Sequence, residues 1–371
     1  MTAIRLVEPE LLPAALRAVL DGSGEVIAAG GGPELGDVTL DSGGVVVTTS
    51  GSTGTPKHVL LAAAALRAGA DMAHAWLGGP GRWLTALPTA YVAGLMTIVR
   101  AHVGGRGWGA VAPDLHDLGD QLGGDGPCYL SIVPTQLVRA LADPALVQAL
   151  AQADAVLVGG ARLDVTTWER ARSAGIRVVR TYGLSETAGG VVYDGQPLPG
   201  VTIGFAADEP GDTGATGSAR ISLTTPTAFS GYLGDPVTTA AVLHGQTVLT
   251  ADRGYLADGR LRVTGRVDAV VQSGGVNVDL AALQRHVDEI WGPGEIIVFA
   301  VADRLWGSRM MAAATRPVSA DEIVERLGDR VTAAARPRGV LVVPELPLLA
   351  SGKPDRRQLA RLWEGQHGDG R

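Results

Sequence analysis

The stretch TTSGSTGTPK, residues 48–57, decides how this chain is read. A β-branched run, GGVVVTTS (43–50), leads into it, and an Ala/Leu-rich stretch, 60–77, follows. Sequence pattern predicts a strand, a glycine loop and then a helix. Glycines let such a loop curl so that its backbone N–H groups converge on an anion. The hydroxyls of Thr49, Ser50, Ser52, Thr53 and Thr55 add donors, Gly51 and Gly54 add backbone freedom, and Lys57 adds charge. A loop of this kind holds phosphate. It is not a Walker A loop, because the GxxxxGK[ST] spacing fails.

Outward from the loop, short apolar runs alternate with helical stretches. Strands are expected at 82–86, 129–133, 154–158 and 176–181, and helices at 91–101, 134–151 and 163–174. That alternation predicts an α/β fold with a parallel sheet covered on both faces. Ligands then bind at loops beyond the strand carboxyl ends. From about residue 191 to 266, Gly, Pro, Thr and Asp punctuate short β-prone pieces, expected at 198–203, 217–223, 247–250 and 261–264. These form a β-rich subdomain of a large domain spanning 1–266. A helix at 279–291, strands at 296–301, 309–315 and 338–343, a helix at 320–328 and a terminal helix from about 355 make a small α+β domain, 267–371. No internal repeat is visible, and the last residues look frayed.

The 371 residues suggest two to three domains. Hydrophobic residues at 46% and charged residues at 19% support a packed core and argue against disorder. A formal net charge of -7 gives no support for nucleic acid as a partner. Cys128 stands alone, which excludes an intramolecular disulfide and a multi-cysteine zinc site. The histidines (His58, His74, His102, His116, His244, His286 and His367) lack metal-ligand spacing. No GxSxG elbow is present. No apolar run reaches the ~18 residues of a membrane span. The N-terminal stretch MTAIRLVEPELLPAALRAVL carries Glu8, Glu10 and Pro13. It is expected to form an amphipathic helix of a mature protein and not a secretory signal. A cytoplasmic protein is the expectation, and its oligomeric state is not readable from the sequence.

Lysine plus arginine is 31, yet only Lys57 and Lys353 are lysines. A coding bias towards Arg, Gly and Ala leaves lysine where a guanidinium cannot replace a compact ammonium. Both lysines lie in glycine-containing turns, which points to contact with phosphate or carboxylate.

Four further strings complete the pattern: TYGLSET (181–187), TADRGY (250–255) with GRVD (265–268), SGGVNV (273–278) and PLLASGKPDR (347–356). With the loop at 48–57, they resemble, in order and over nearly the whole chain, the acyl-adenylate-forming superfamily of acyl-CoA ligases, luciferases and peptide-synthetase adenylation domains. The resemblance implies ATP at the 48–57 loop and along Gly159, Gly160 and Ala161 of the VGGA turn. It implies that Tyr182 stacks on adenine beside Gly183, that Ser185 or Thr187 contacts the α-phosphate, and that Glu186 holds Mg²⁺. A carboxylate suits that hard cation. Asp252 is implied to bind the ribose hydroxyls, a vicinal diol that a carboxylate accepts from well. Arg266 would contact ribose and phosphates, and Asp268 would be the hinge. Gly274 and Gly275 would line the coenzyme A channel. Lys353 would bridge the acyl carboxylate and the α-phosphate.

Three segments, LPTAYVAGL (87–95), SIVPTQL (131–137) and YGLSETAGGVVYDG (182–195), resemble the short actinobacterial o-succinylbenzoate–CoA ligases of menaquinone synthesis. Tyr91, Gly94, Gly189 and Gly190 are the implied acyl pocket. Three departures accompany the resemblance. Much of the usual N-terminal subdomain is missing before the loop. Tyr91 stands where many relatives have histidine. VDLAAL (278–283) replaces an xPxEIE pattern. The implied activity is AMP-forming ligation of an acid to a thiol, with ATP, Mg²⁺ and coenzyme A. Another aryl- or acyl-CoA ligase, or an adenylating enzyme that loads a carrier-protein thiol, is the alternative, and a non-catalytic nucleotide-binding relative is a third.

Overall fold

The computed structural model describes residues 3–29, 43–49, 56–206, 218–267, 270–349 and 353–367. Ser50, Gly51, Ser52, Thr53, Gly54, Thr55 and Asp268 lie outside the described residues. The chain divides into two compact units. The first is Met1–Asp212 with Ala219–Thr250 and Leu256–Arg262, and the second is Thr213–Ser218, Ala251–Tyr255 and Val263–Arg371.

Two sheets build most of the first unit. One has the order Ile4–Val7, Val26–Ala29, Gly44–Thr49, Lys57–Ala62, Gly231–Tyr232. The other has the order Gln196–Pro197, Gly189–Tyr193, Val178–Leu184, Ala155–Val158, Cys128–Ile132, Arg82–Thr85, Trp108–Ala110. From Val178–Leu184 to Trp108–Ala110 the second sheet is parallel, as the alternating sequence predicts. Helices Ala63–Leu77 and Val92–Val103 supply side chains to both sheets. Leu66 and Leu95 join Val45 and Leu61 of the first, while Ala73 and Ala101 join Trp83 and Val179 of the second. The opposite face of the parallel sheet is covered by helices that include Pro134–Ala140, Pro144–Gln152 and Val165–Ser173.

Three local readings are corrected. Residues Lys57–Ala62 form a strand, and the helix starts at Ala63, so the 48–57 loop closes a hairpin with Gly44–Thr49. Val59 and Leu61 face one core and Leu60 another, which is strand alternation with both faces buried. In a run of four to eight apolar residues that pattern is indistinguishable from a buried helix start. At the N-terminus only Leu12–Leu20 is helical, while Ile4–Val7 pairs in parallel with Val26–Ala29. The expected helix over 134–151 is two helices, broken where Asp143 caps the second and Pro144 opens it.

A third sheet contains Thr202–Ala206, Ala219–Thr224, Thr247–Ala257 and Leu243–His244, with Arg260–Arg266 paired to Thr247–Ala257. The second unit has its own sheet of Val276–Asp279, Val270–Ser273, Gly307–Ala314 and Ile296–Asp303, with Val340–Val342 added in parallel. Helices Leu280–Trp291 and Ala320–Leu327 pack on one side of it and Arg356–His367 on the other. Among the described residues no helix is long and apolar enough to cross a membrane.

Candidate active site

Strand pairing sets the two ends of the hydroxyl-rich loop opposite each other, Thr49 against Lys57 and Thr48 against His58. The Thr49 hydroxyl donates to the Lys57 carbonyl at 3.4 Å, and Thr48 Oγ1 shares a hydrogen bond with His58 Nδ1 at 3.1 Å. The backbone therefore enters and leaves the loop in fixed register. Lys57 lines a cleft of about 410 Å³ together with Pro56, His58, Tyr232, Leu233, Asp235 and Thr238. Its ammonium lies 4.9 Å from the centroid of the Tyr232 ring. Asp235, in the same cleft, is held below the usual carboxylate range by hydrogen bonds from Thr238 and then by the Lys57 charge.

At the phenolic edge of that ring, the Tyr232 hydroxyl donates to Glu186 Oε1 at 2.6 Å. Burial pushes the Tyr232 phenol above its ordinary value, and the Glu186 charge pushes it further, so it stays a donor. Glu186 sits in a 3₁₀ turn, Ser185–Thr187, between Val178–Leu184 and the antiparallel strand Gly189–Tyr193. The Thr187 hydroxyl holds that turn together. It accepts from the Leu184 N–H at 2.9 Å and donates to the Gly189 carbonyl at 2.8 Å, with no exposure to solvent. Ser185 is only half-buried. Of the two hydroxyls implied to meet the α-phosphate, that of Thr187 is committed to the fold.

Glycines bring the strands close around this turn. A Cβ on Gly183 would collide with the Gly189 carbonyl, and one on Gly159 with the Thr181 hydroxyl. One on Gly190 would lie 3.1 Å from Thr181 Cβ and 3.2 Å from the Tyr193 ring. Gly160, with φ +79°, and Ala161 are exposed beyond the Ala155–Val158 strand, where a parallel sheet presents ligands. Tyr182 is half-buried in the neighbouring strand. Tyr91 precedes helix Val92–Val103, and its N–H donates to the Pro88 carbonyl at 3.2 Å. Gly94 is buried in that helix, where a Cβ would meet the Pro88 oxygen at 2.5 Å.

Two residues outside the sequence motifs also matter. Tyr232 is one. Arg100 is the other, a 4%-exposed arginine of helix Val92–Val103 whose guanidinium carbon lies 4.8 Å from the Trp83 ring centroid. No described carboxylate pairs with it. Arg100 Nε, His74 Nε2, Trp83 Nε1 and the Tyr193 hydroxyl are buried without hydrogen-bond partners among the described residues. Burial, then the Arg100 charge, holds His74 below its ordinary pKa, so the imidazole is neutral at pH 7. A lone arginine in the run VAGLMTIVRAHV was the available sequence signal; Tyr232 left none.

The second unit assembles a different set. Across the Thr247–Ala257/Arg260–Arg266 hairpin, Arg266 Nη1 donates to Asp252 Oδ1 at 3.2 Å. Lys353, an exposed residue in a turn, lies within electrostatic reach of both. Crowding by protein lowers the pKa of its ammonium, the Arg266 charge lowers it further, and Asp252 opposes them. The Lys353 carbonyl accepts from the Leu349 N–H at 2.7 Å, fixing the turn that carries it. Arg356 of the same motif is structural. Its Nε donates to the Val298 carbonyl at 2.8 Å and its Nη2 to Gln284 Oε1 at 3.2 Å. Gly274 and Gly275, at φ +59° and +78°, form the two-residue turn between Val270–Ser273 and Val276–Asp279. That hairpin geometry requires positive φ at both positions. The Trp306 ring lies against Gly274, so closely that a Cβ there would overlap it.

Residues 19–233 match the model of the AMP-binding enzyme family, and residues 286–353 match that of its C-terminal domain. The chain belongs to the AMP-binding enzyme family. A probable 2-succinylbenzoate–CoA ligase of Mycobacterium tuberculosis is 36% identical over 379 residues, with 96% of each chain covered. Among solved family structures, the o-succinylbenzoate CoA synthetase of Bacillus subtilis in complex with the acyl-adenylate intermediate OSB-AMP shares the fold. The TM-score is 0.73 at 22% identity, with 96% of this chain and 87% of that one covered. The same synthetase in complex with ATP and magnesium ion matches at TM-score 0.73 and 21% identity, over 96% and 88% of the two chains.

Proposed function

We propose that this member of the AMP-binding family is an o-succinylbenzoate–CoA ligase, AMP-forming and cytoplasmic. The observation that carries the reading is the end-to-end identity with the mycobacterial ligase, 36% over 96% of both chains. In the first half-reaction the acid carboxylate attacks the α-phosphorus of ATP, giving acyl-AMP and pyrophosphate. In the second, the coenzyme A thiol attacks the acyl carbon, giving the thioester and releasing AMP. Neither step needs a covalent bond to the protein. Its task is to position reactants and offset charge.

Residues 49–57 and Lys57 take the β- and γ-phosphates, Ser185 the α-phosphate, and Tyr182 with the 159–161 turn the adenine. Asp252 takes the ribose hydroxyls beside Arg266. Lys353 places its ammonium between the acyl carboxylate and the α-phosphate. Among the described residues no group of three or more His, Cys, Asp or Glu is assembled for a metal. Glu186 alone fits Mg²⁺, which is commonly held by one or two carboxylates plus substrate phosphates. When bound, Mg²⁺ would offset phosphate charge during attack. The Gly274–Gly275 turn opens the thiol channel, and the segment at Asp268 serves as the hinge between half-reactions.

The segments around Tyr91, Ser131 and Tyr182, which resemble those of short o-succinylbenzoate–CoA ligases, support the choice of acid. The test is a pyrophosphate-release assay with coenzyme A across acids. o-Succinylbenzoate should exceed acetate, palmitate and benzoate by at least about 10²-fold in kcat/KM, because a site built for a second carboxylate leaves its donors unpaired with a monoacid. Equal turnover of a simple monoacid rejects the substrate and leaves the ligase class standing.

A further inference from the structure

The segment 229–232 holds Glu186 at two points. The Phe229 N–H donates to the Glu186 carbonyl at 2.9 Å, and the Tyr232 hydroxyl donates to its carboxylate at 2.6 Å. The other side of the contact is equally defined, with the Lys57 ammonium 4.9 Å from the centre of the Tyr232 ring. The ring itself is fixed. The Tyr232 N–H donates to Thr239 Oγ1 at 2.8 Å, and Phe229 meets the ring edge-on at 4.9 Å between centroids. Gly231 and Tyr232 pair with Leu60 and Val59 of the strand that begins at Lys57. Tyr232 is 8% exposed, so it is held by the core and not by solvent contacts.

We propose that Tyr232 is a positioning residue for adenylation, in which one aromatic ring sets the register between the Glu186 carboxylate and the Lys57 ammonium. The proposal rests on the reading above that gives Glu186 to magnesium and Lys57 to phosphate. A carboxylate offers about four lone-pair sites on two oxygens. A short hydrogen bond on Oε1 selects one rotamer and leaves the other oxygen to a cation. Removing such an outer partner typically lowers metal affinity about 10- to 100-fold. Lysine has a flexible four-carbon stem, and an aromatic face restricts where its charge rests. A cation over that face also draws electron density from the ring and strengthens the phenol as a donor, so the two contacts reinforce each other.

Calorimetric titration of ATP into the full chain tests this, with graded Mg²⁺ and no carboxylic acid, so that nothing turns over. Tyr232→Phe keeps the ring and removes only the hydroxyl. It should weaken binding of ATP with Mg²⁺ by about 10-fold and leave binding of ATP without Mg²⁺ unchanged. Tyr232→Leu removes the platform as well and should weaken Mg²⁺-free ATP binding by about 3-fold. In a Glu186→Gln background, Tyr232→Phe should add no further loss. A Tyr232→Phe loss of equal size in both backgrounds, or one confined to Mg²⁺-free ATP, overturns the proposal. If Glu186→Gln abolishes the Mg²⁺ dependence and Tyr232→Phe does not alter it, the positioning role alone fails. If Glu186→Gln leaves that dependence intact, the magnesium reading fails and the positioning role falls with it.

Discussion

Asp252 and Arg266 face each other across one hairpin, with Nη1 3.2 Å from Oδ1 and Asp252 the more buried partner. The guanidinium holds the carboxylate in place, which suits the proposed contact with a vicinal diol. Asp252→Asn keeps the shape and loses the charge. A hydrogen bond to a charged group contributes about 1.5–3 kcal/mol, so KM for ATP should rise roughly 10- to 100-fold while the protein stays folded. Initial rates against ATP concentration measure it. An unchanged KM removes Asp252 from the ribose site.

Arg100 is buried against the Trp83 ring with no carboxylate partner among the described residues. Arg100→Met keeps the stem volume and removes the buried guanidinium. Replacing a buried unpaired charge with an apolar group should raise the melting temperature. Thermal unfolding measures it, and a lower melting temperature refutes the reading.

The strand–helix alternation of the first unit was legible because its apolar runs are separated by turn residues. The strand Lys57–Ala62 was not, since Val59, Leu60 and Leu61 are buried from two sides and carry no readable period. Ile4–Val7 was hidden for a different reason, as an edge strand of only four residues with mixed burial. Motif strings pointed to Lys57, Glu186, Asp252, Arg266 and Lys353 as candidates, each of which stands in an unusual local sequence. They could not expose Tyr232 or Arg100. What sets these two apart is a neighbour far along the chain, Glu186 for the first and Trp83 with His74 and Tyr193 for the second. Spatial pairs of that kind leave no trace in spacing.

Thr187 tests the division between fold and chemistry. Its hydroxyl serves the Leu184 N–H and the Gly189 carbonyl in a site without solvent. Thr187→Val strands both groups at about 1–3 kcal/mol each. The melting temperature should drop by several degrees, and Thr187→Ser should recover most of it. Ser185→Ala, on the half-exposed side of the same turn, should leave melting unchanged and raise KM for ATP. The reverse pattern would exchange the two roles.

Lys353 is the residue whose protonation should appear in the pH profile. In the proposed mechanism adenylation needs the ammonium, so the rate should fall as pH rises through the pKa of that group. Crowding and Arg266 hold this pKa below its ordinary value. The alkaline decline should therefore begin at a lower pH than for an unperturbed lysine near about 10.4. Lys353→Arg keeps its charge across that range and should flatten the decline, at reduced rate because the planar fork fits the turn differently. Lys353→Ala should cut pyrophosphate exchange by about 10²-fold, the scale for removing a group that stabilises transition-state charge. It should spare coenzyme A-dependent AMP release from synthetic acyl-AMP, since the acyl–phosphate anhydride is by then already formed. Asp268→Pro, which fixes φ at the proposed hinge, should do the opposite, leaving exchange intact and slowing thioester formation. Both half-reactions are measured separately on each variant. If Lys353→Ala damages the two equally, Lys353 serves binding throughout and not the first chemical step, and the alkaline limb must then be assigned to another group.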